Sequence, residues 1–410
     1  MQRALIFCIG LLFFSTNFLR AQGVEAPEAR FQALEERIRA LEAEVQSLKA
    51  ALPSGGAAAT PAGAVAAPLQ VPTAPLPVYG GATGAAKALN PDIGVIGNLV
   101  GATGRNIGNP YPSLSLQESE VSLQAIVDPY ARADFFLALG EEGIEIEEGY
   151  ITFPALPGNF LLKAGKMRST FSRVNTFHNH TLPWIDRPIV QFNLMGGSLD
   201  EADVGIKEAG LSLSRLLPAP VFLEATAELF RGDSGTLFQA SRRSDVSSVF
   251  HLRGYQDLSE STNLEIGGSY ARGHNDIGSD FLTQLAGLDT TLRWKPLRRA
   301  IYHSFSARSE FVWSRRQEVA NTQRAFGFFA SAEYQLARRW FGGARFDWSE
   351  RARNTEQHDN ATSLVLTYWP SEFSQIRGQL RRTHYAEGNT ANELLFQFLF
   401  TLGAHGAHVF

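Results

Sequence analysis

Residues 324–336 read "RAFGFFASAEYQL". In an extended chain Phe326, Phe328, Ala330, Ala332, Tyr334 and Leu336 share one face. Gly327, Ser331, Glu333 and Gln335 share the other, with Phe329 as the exception. A period of two marks a β-strand with one apolar and one polar face. The pattern recurs after Pro91. In "VFLEATAEL" Val221, Leu223, Ala225, Ala227 and Leu229 oppose Glu224, Thr226 and Glu228. In "RWFGGARFDWS" Trp340, Ala344, Phe346 and Trp348 oppose Arg345 and Asp347.

A water-soluble β-sandwich also alternates, so the medium on the apolar side has to be argued separately. The segment "ELLFQFLFTL" (393–402) puts Leu394, Phe396, Phe398, Phe400 and Leu402 on one face, which is too apolar for water. Five tryptophans, Trp294, Trp313, Trp340, Trp348 and Trp369, fall near expected strand ends, where interfacial aromatic girdles sit. Trp340 and Trp348 point the same way, about 20 Å apart along the membrane normal, near the height of a barrel's apolar band. Expected short turns at 128–130, 155–158, 218–220, 259–261, 297–300, 337–339 and 370–373 alternate with mostly longer connections near 102–113, 168–202, 232–245, 274–282, 317–324 and 351–359. Connections near 140–143 and 387–391 are short although they fall on the long side. This alternation points to an all-β fold, a transmembrane antiparallel β-barrel of about sixteen strands over 91–410, with tight periplasmic turns, larger outer loops and both termini periplasmic.

The chain of 410 residues carries 44% apolar and 19% charged residues at a net charge of −4, which leaves no electrostatic footprint for nucleic acid. Residues 1–21 have the short basic start and apolar run of a signal peptide. Their removal takes Arg3 and Arg20, and with them the charge from −4 to −6; it also takes Cys8, the one cysteine. Residues 31–52 place Phe31, Leu34, Ile38, Leu41, Val45, Leu48 and Leu52 at alternating spacings of three and four, predicting a short N-terminal coiled-coil helix in the periplasm. Residues 53–90, rich in Pro, Ala and Gly, read as a linker.

A barrel of this size encloses an aqueous lumen lined by the polar faces. Those faces carry Glu118, Glu120, Glu224, Glu228, Glu265, Asp289, Arg293, Arg308, Arg345, Arg377 and Arg381, acidic in the early strands and basic in the late ones. Opposed walls of charge would set a transverse field and the channel's selectivity. Residues 168–202 form the longest connection, and Trp184, Ile185 and Ile189 within it require burial. The expectation is that this loop folds into the barrel and narrows it, bringing Arg168, Arg173, His178, His180, Asp186 and Arg187 to the strand charges.

His178 and His180 are also candidate metal ligands, but two imidazoles without a third donor make half a site. His405 and His408 fall at the other end of the barrel and cannot complete it. The sequence has no G-x-S-x-G, no H-E-x-x-H and no phosphate loop, so no enzyme activity and no cofactor are expected. The glutamate run in "IEIEEGY" (144–150) reads as a solvated or lumen-facing set.

The stretches "NPDIGVIGNLVG", "EVSLQAIVDPYARADFFLALG", "IEIEEGYITF", "LLKAGKMRSTFSRVNTFHNHTLPWIDRP" and "GAHGAHVF" resemble a poorly characterised family of bacterial outer-membrane proteins. The architecture is similar to that of phosphate-selective porins, though this chain has no dense lysine or arginine ladder. Some members are labelled zinc-regulated receptors driven by TonB; that label implies a plug domain and about 22 strands, which this chain is too short to hold. The resemblance implies a trimer in outer-membrane lipid, whereas Phe, Ile and Val at a with Leu at d of the 31–52 seam lean toward two strands; three heptads specify oligomer state weakly, so the expected homo-oligomer is a trimer ahead of a dimer. The expected function is a porin for passive diffusion of small solutes or ions. The alternatives are an outer-membrane metal (zinc) uptake protein, and a structural tether whose coiled coil contacts the cell wall or a periplasmic partner.

Overall fold

The structure, a computed structural model, describes residues 91–106, 108, 112–140, 143–197 and 204–403, together with Arg39 and Ala43. The first strands are β1 (Asp92–Arg105), β2 (Ser115–Asp128), β3 (Ala131–Gly140), β4 (Gly143–Leu156), β5 (Phe160–Arg168), β6 (Lys207–Leu216) and β7 (Phe222–Phe230). A two-residue pair follows, β8 (Asp233–Ser234) and β9 (Phe238–Gln239). Then come β10 (Ser247–Ser259), β11 (Thr262–His274), β12 (Leu282–Trp294), β13 (Phe305–Gln317), β14 (Thr322–Ala337), β15 (Trp340–Arg351), β16 (Asn354–Ser371), β17 (Ser374–His384) and β18 (Thr390–Gly403). Without β8 and β9, which pair only with each other, the other sixteen strands form a closed antiparallel barrel, each beside its neighbour in sequence and β1 beside β18. Closure satisfies every strand edge, which a sheet surrounded by lipid requires.

The alternation in the sequence is the alternation in space. Along β18, Leu394, Phe396, Phe398, Phe400 and Leu402 are 37–61% exposed, whereas Glu393, Leu395, Gln397, Leu399 and Thr401 are buried. The exposed face is the apolar one, the arrangement expected where lipid is the outer solvent. At the seam, Phe400 and Phe396 lie over Gly97 and Gly101 of β1, filling the notches that two missing side chains leave. At one strand end Trp340 stacks on Tyr368 with ring centroids 4.5 Å apart.

Three expectations are corrected. The elements begin at β1, and no N-terminal helix or coiled coil stands among them. Ahead of the barrel only Arg39 and Ala43 are described, two isolated, exposed positions of helical backbone that form no element of their own; the rest of 31–52 lies outside the described residues, as do 1–21, 53–90, His405 and His408. The connection near 351–359 is a two-residue turn, 352–353, because β16 starts at Asn354. Its first turns are polar on both faces and carry no apolar alternation. The turn at 297–300 widens to 295–304.

Loop 169–206, between β5 and β6, carries an α-helix, α1 (Ile189–Leu194), and two 3-10 turns at Val174–Thr176 and Asn179–Thr181. Its side chains build an apolar core inside the barrel. Phe171, Val174, Leu182, Trp184, Val190, Leu194 and Met195 pack with wall residues Val249, Ala271, Leu285, Val312, Ala325, Phe329 and Val365.

Candidate pore constriction

Loop 169–206 meets the wall along most of its circumference, and the contacts follow one rule. Irregular backbone has N–H groups with no ladder to join, and burying them unpaired is costly. The lumen face supplies acceptors. The Thr170 N–H donates to Glu228 on β7 (3.0 Å) and the Ser172 N–H to Ser269 on β11 (3.1 Å). The Val174 N–H donates to Glu310 on β13 (2.6 Å), Ile185 to Gln379 on β17 (2.9 Å) and Ile189 to Asp347 on β15 (3.3 Å). Wall donors reach the loop in return: Arg377 Nη1 donates to the carbonyls of Leu182 (2.7 Å) and Trp184 (3.2 Å).

The side chain of Asp186 is the strongest anchor. Arg345 on β15 and Arg381 on β17 each place a guanidinium nitrogen 2.8 Å from its Oδ2, and Gln379 donates to its Oδ1. Burial pushes this carboxyl up, but Arg345 and Arg381 outweigh it and hold the pKa at about 2. Arg345 also pairs with Asp347 (2.7 Å) and lies 4.8 Å from the Trp184 ring centroid. Phe329, the exception in the opening stretch, points into the lumen and meets Trp184 edge-on with centroids 5.2 Å apart. Beside it, a Cβ at Gly327 would lie 2.8 Å from Val190 Cγ2, so the glycine is the slot for α1.

Where the loop enters, four buried carboxylates gather. A register shift opposite Phe136 and Leu137 leaves Glu147 as an extra residue in β4. The bulge turns Glu147 and Glu148, neighbours in sequence, to the same inner side. With Glu120 of β2 they surround His178, and the carboxylate of Glu118, also on β2, lies within 4.8 Å of those of Glu120 and Glu147. His178 Nδ1 lies 2.7 Å from Glu120 Oε2 and 3.1 Å from Glu147 Oε2; Nε2 lies 2.9 Å from Glu148 Oε2. Burial disfavours the imidazolium, yet these carboxylates outweigh it and raise His178 well above the usual histidine range. His180 Nδ1 is 3.6 Å from Glu120 Oε2. Arg168, at the root of the loop, pairs with Glu147 at 2.6 Å.

The remaining residues singled out from the sequence divide into two groups. Arg187 is turned into the loop itself, where it donates to Asn179 Oδ1 and to the carbonyls of Val174 and Phe177. Glu228 is buried and accepts from Ser212 as well as from Thr170. Arg308 on β13 is largely enclosed and reaches Ser306 (3.1 Å). Water reaches a different arc. The side chains of Arg173, Arg253 and Glu224 are each 30% exposed and that of Arg293 is 27% exposed, whereas that of Arg345 is 0% exposed. Arg173, Arg253 and Arg293 converge on Glu265 at 3.6, 3.0 and 3.3 Å. Arg253, on β10, belongs to this arc although sequence reading passed over it. Its place in "HLRGYQD", alternating with outward Leu252, was the available signal.

No family model matches the chain. An uncharacterized protein of Aquifex aeolicus is 29% identical over 344 residues, covering 74% of this chain and 71% of that protein. Solved structures share the fold. An anion-selective porin from Comamonas acidovorans superposes with a TM-score of 0.54 at 10% identity, over 76% of this chain and 98% of that one. The outer-membrane channel DcaP of Acinetobacter baumannii gives 0.51 at 12% identity, over 76% and 96%. OmpT of Vibrio cholerae in its trimer form gives 0.51 at 9% identity, over 76% and 99%. The chain therefore has the sixteen-stranded antiparallel barrel of bacterial outer-membrane porins, an architecture typical of outer-membrane proteins.

Proposed function

We propose that the protein is an outer-membrane channel for passive diffusion of small hydrophilic solutes, narrowed by loop 169–206, with the turn side of the barrel and both its ends in the periplasm. The observation that carries this reading is the division of the lumen. On the β15–β17 side Arg345, Arg377 and Arg381 hold the loop, while Arg173, Arg253, Arg293 and Glu224 keep water contact. Three guanidiniums there face two carboxylates, Glu224 at 30% exposure and the buried Glu265 on which they converge, and the one positive charge in excess supports a preference for anions over cations. A trimeric neighbour of the same fold supports a homo-oligomer, with a trimer as the assembly proposed.

Planar-bilayer recording tests the channel. The full-length protein should give discrete conductance steps and a reversal potential of anion-selective sign in a salt gradient. Arg253→Gln with Arg293→Gln should move that potential toward zero or past it. A protein that inserts but passes no current sinks the proposal.

A further inference from the structure

Loop and wall meet in a cluster that nothing in the channel reading uses: Glu120 of β2, Glu147 of β4, and His178 and His180 of loop 169–206, all buried. Three separations define its geometry. Glu120 Oε2 to His178 Nδ1 is 2.7 Å, Glu147 Oε2 to His178 Nδ1 is 3.1 Å, and Glu120 Oε2 to His180 Nδ1 is 3.6 Å. A four-coordinate ion with bonds of about 2.0–2.1 Å holds its ligand atoms about 3.3 Å apart, the middle of that range. The possible ligating atoms of Glu118, Glu120 and Glu147 also lie within 4.8 Å of one another, so a further carboxylate stands in reach.

A second observation bears on the same cluster. His178 Nδ1 carries at most one hydrogen, and it faces two carboxylate oxygens. The shorter contact, to Glu120, takes it. Glu147 Oε2 is then left without a hydrogen bond on a side chain 97% buried, aimed into the cluster. Arg168 satisfies the other oxygen, Oε1, so Oε2 faces the cluster without a hydrogen bond, and a metal ion there would take the place of the proton on His178 Nδ1.

We propose that Glu120, Glu147, His178 and His180 form a site for a divalent transition-metal ion that fastens the loop to β2 and β4. Two imidazole nitrogens with carboxylate oxygens suit zinc better than calcium or magnesium, which take oxygen donors. The proposal is independent of conduction: a barrel that passes no current could still hold the ion, and a channel could function without it.

The test uses the full chain, purified in detergent, stripped with chelator and titrated with Zn2+ by calorimetry, with bound metal counted by mass spectrometry. One Zn2+ per chain is expected, with Ca2+ and Mg2+ at least tenfold weaker. His180→Gln and Glu147→Gln should each weaken Zn2+ tenfold or more, with barrel folding checked by heat-modifiable gel migration. If one variant does not fold, the other decides. A double change at His405 and His408 should leave the affinity unaltered. No stoichiometric Zn2+ on the parent protein overturns the proposal, and so does undiminished binding in a folded His180→Gln or Glu147→Gln protein.

Discussion

Asp186 shows how a few buried side chains control the lumen. Its carboxylate is 3% exposed and is shared by two guanidiniums, Arg345, fully buried and also paired with Asp347, and Arg381, also paired with Glu393. Removing one partner of a buried ion pair costs about 3–5 kcal/mol, because the other charge stays behind without compensation. Asp186→Asn should therefore loosen the loop and raise single-channel conductance, and limited proteolysis should cut within 176–190 faster than in the parent. The acid limit follows from the pKa of about 2, below the ordinary 3.8. A depressed carboxyl contributes anchoring in full above its ordinary value and loses it as the pH falls toward the folded one. Conductance should thus stay level from neutral pH to about 4 and rise between about 4 and 2. A rise centred near pH 6 would assign the release to another group. Phe329→Ala would remove the ring against Trp184 and cost about 3–5 kcal/mol, read as a lower unfolding temperature for the loop.

Among the elements, β4 shows what periodicity could and could not reveal. Alternation located strands because lipid and lumen impose opposite chemistry on alternate residues, as in 393–402. It also flagged Phe329 as an outlier without naming its partner, since Trp184 comes from a distant loop. The bulge at Glu147 was not legible. "IEIEEGY" allows several registers, and the choice depends on pairing with Phe136 and Leu137 across the sheet. Likewise β16 begins in residues polar on both faces, so its start read as loop. The bulge gives a direct experiment. Deleting Glu147 leaves Ile146 and Glu148 in a regular ladder with β3, so the barrel should still fold and show heat-modifiable migration. Arg168 should lose its ion pair with Glu147 and the loop root should become more sensitive to protease. Failure to fold would mean that the bulge sets the register of the sheet and not merely the aim of one side chain.

At the scale of the whole molecule, the barrel is a shell around a second core. Its outward face is covered by lipid-directed Leu and Phe, and its inner face holds an apolar cluster built around the loop. The apolar content of 168–202 made burial of Trp184, Ile185 and Ile189 predictable, and all three are buried. Which arc of the wall would receive them was not readable, because β10, β12, β13, β15 and β17 all offer arginine. Deleting 176–190 should leave the sixteen-stranded wall intact and raise conductance several-fold; unchanged conductance would locate the narrowest point elsewhere.

The seam between β1 and β18 is bridged from inside as well as by its own hydrogen bonds. Ile185, in the middle of the loop, packs against Val100 of β1 and Leu395 of β18, on either side of the join. One aliphatic side chain thus ties the first and last strands to each other through the interior, so Ile185→Ala should make the closed cylinder come apart at a lower temperature in heat-modifiable migration, and not only free the loop.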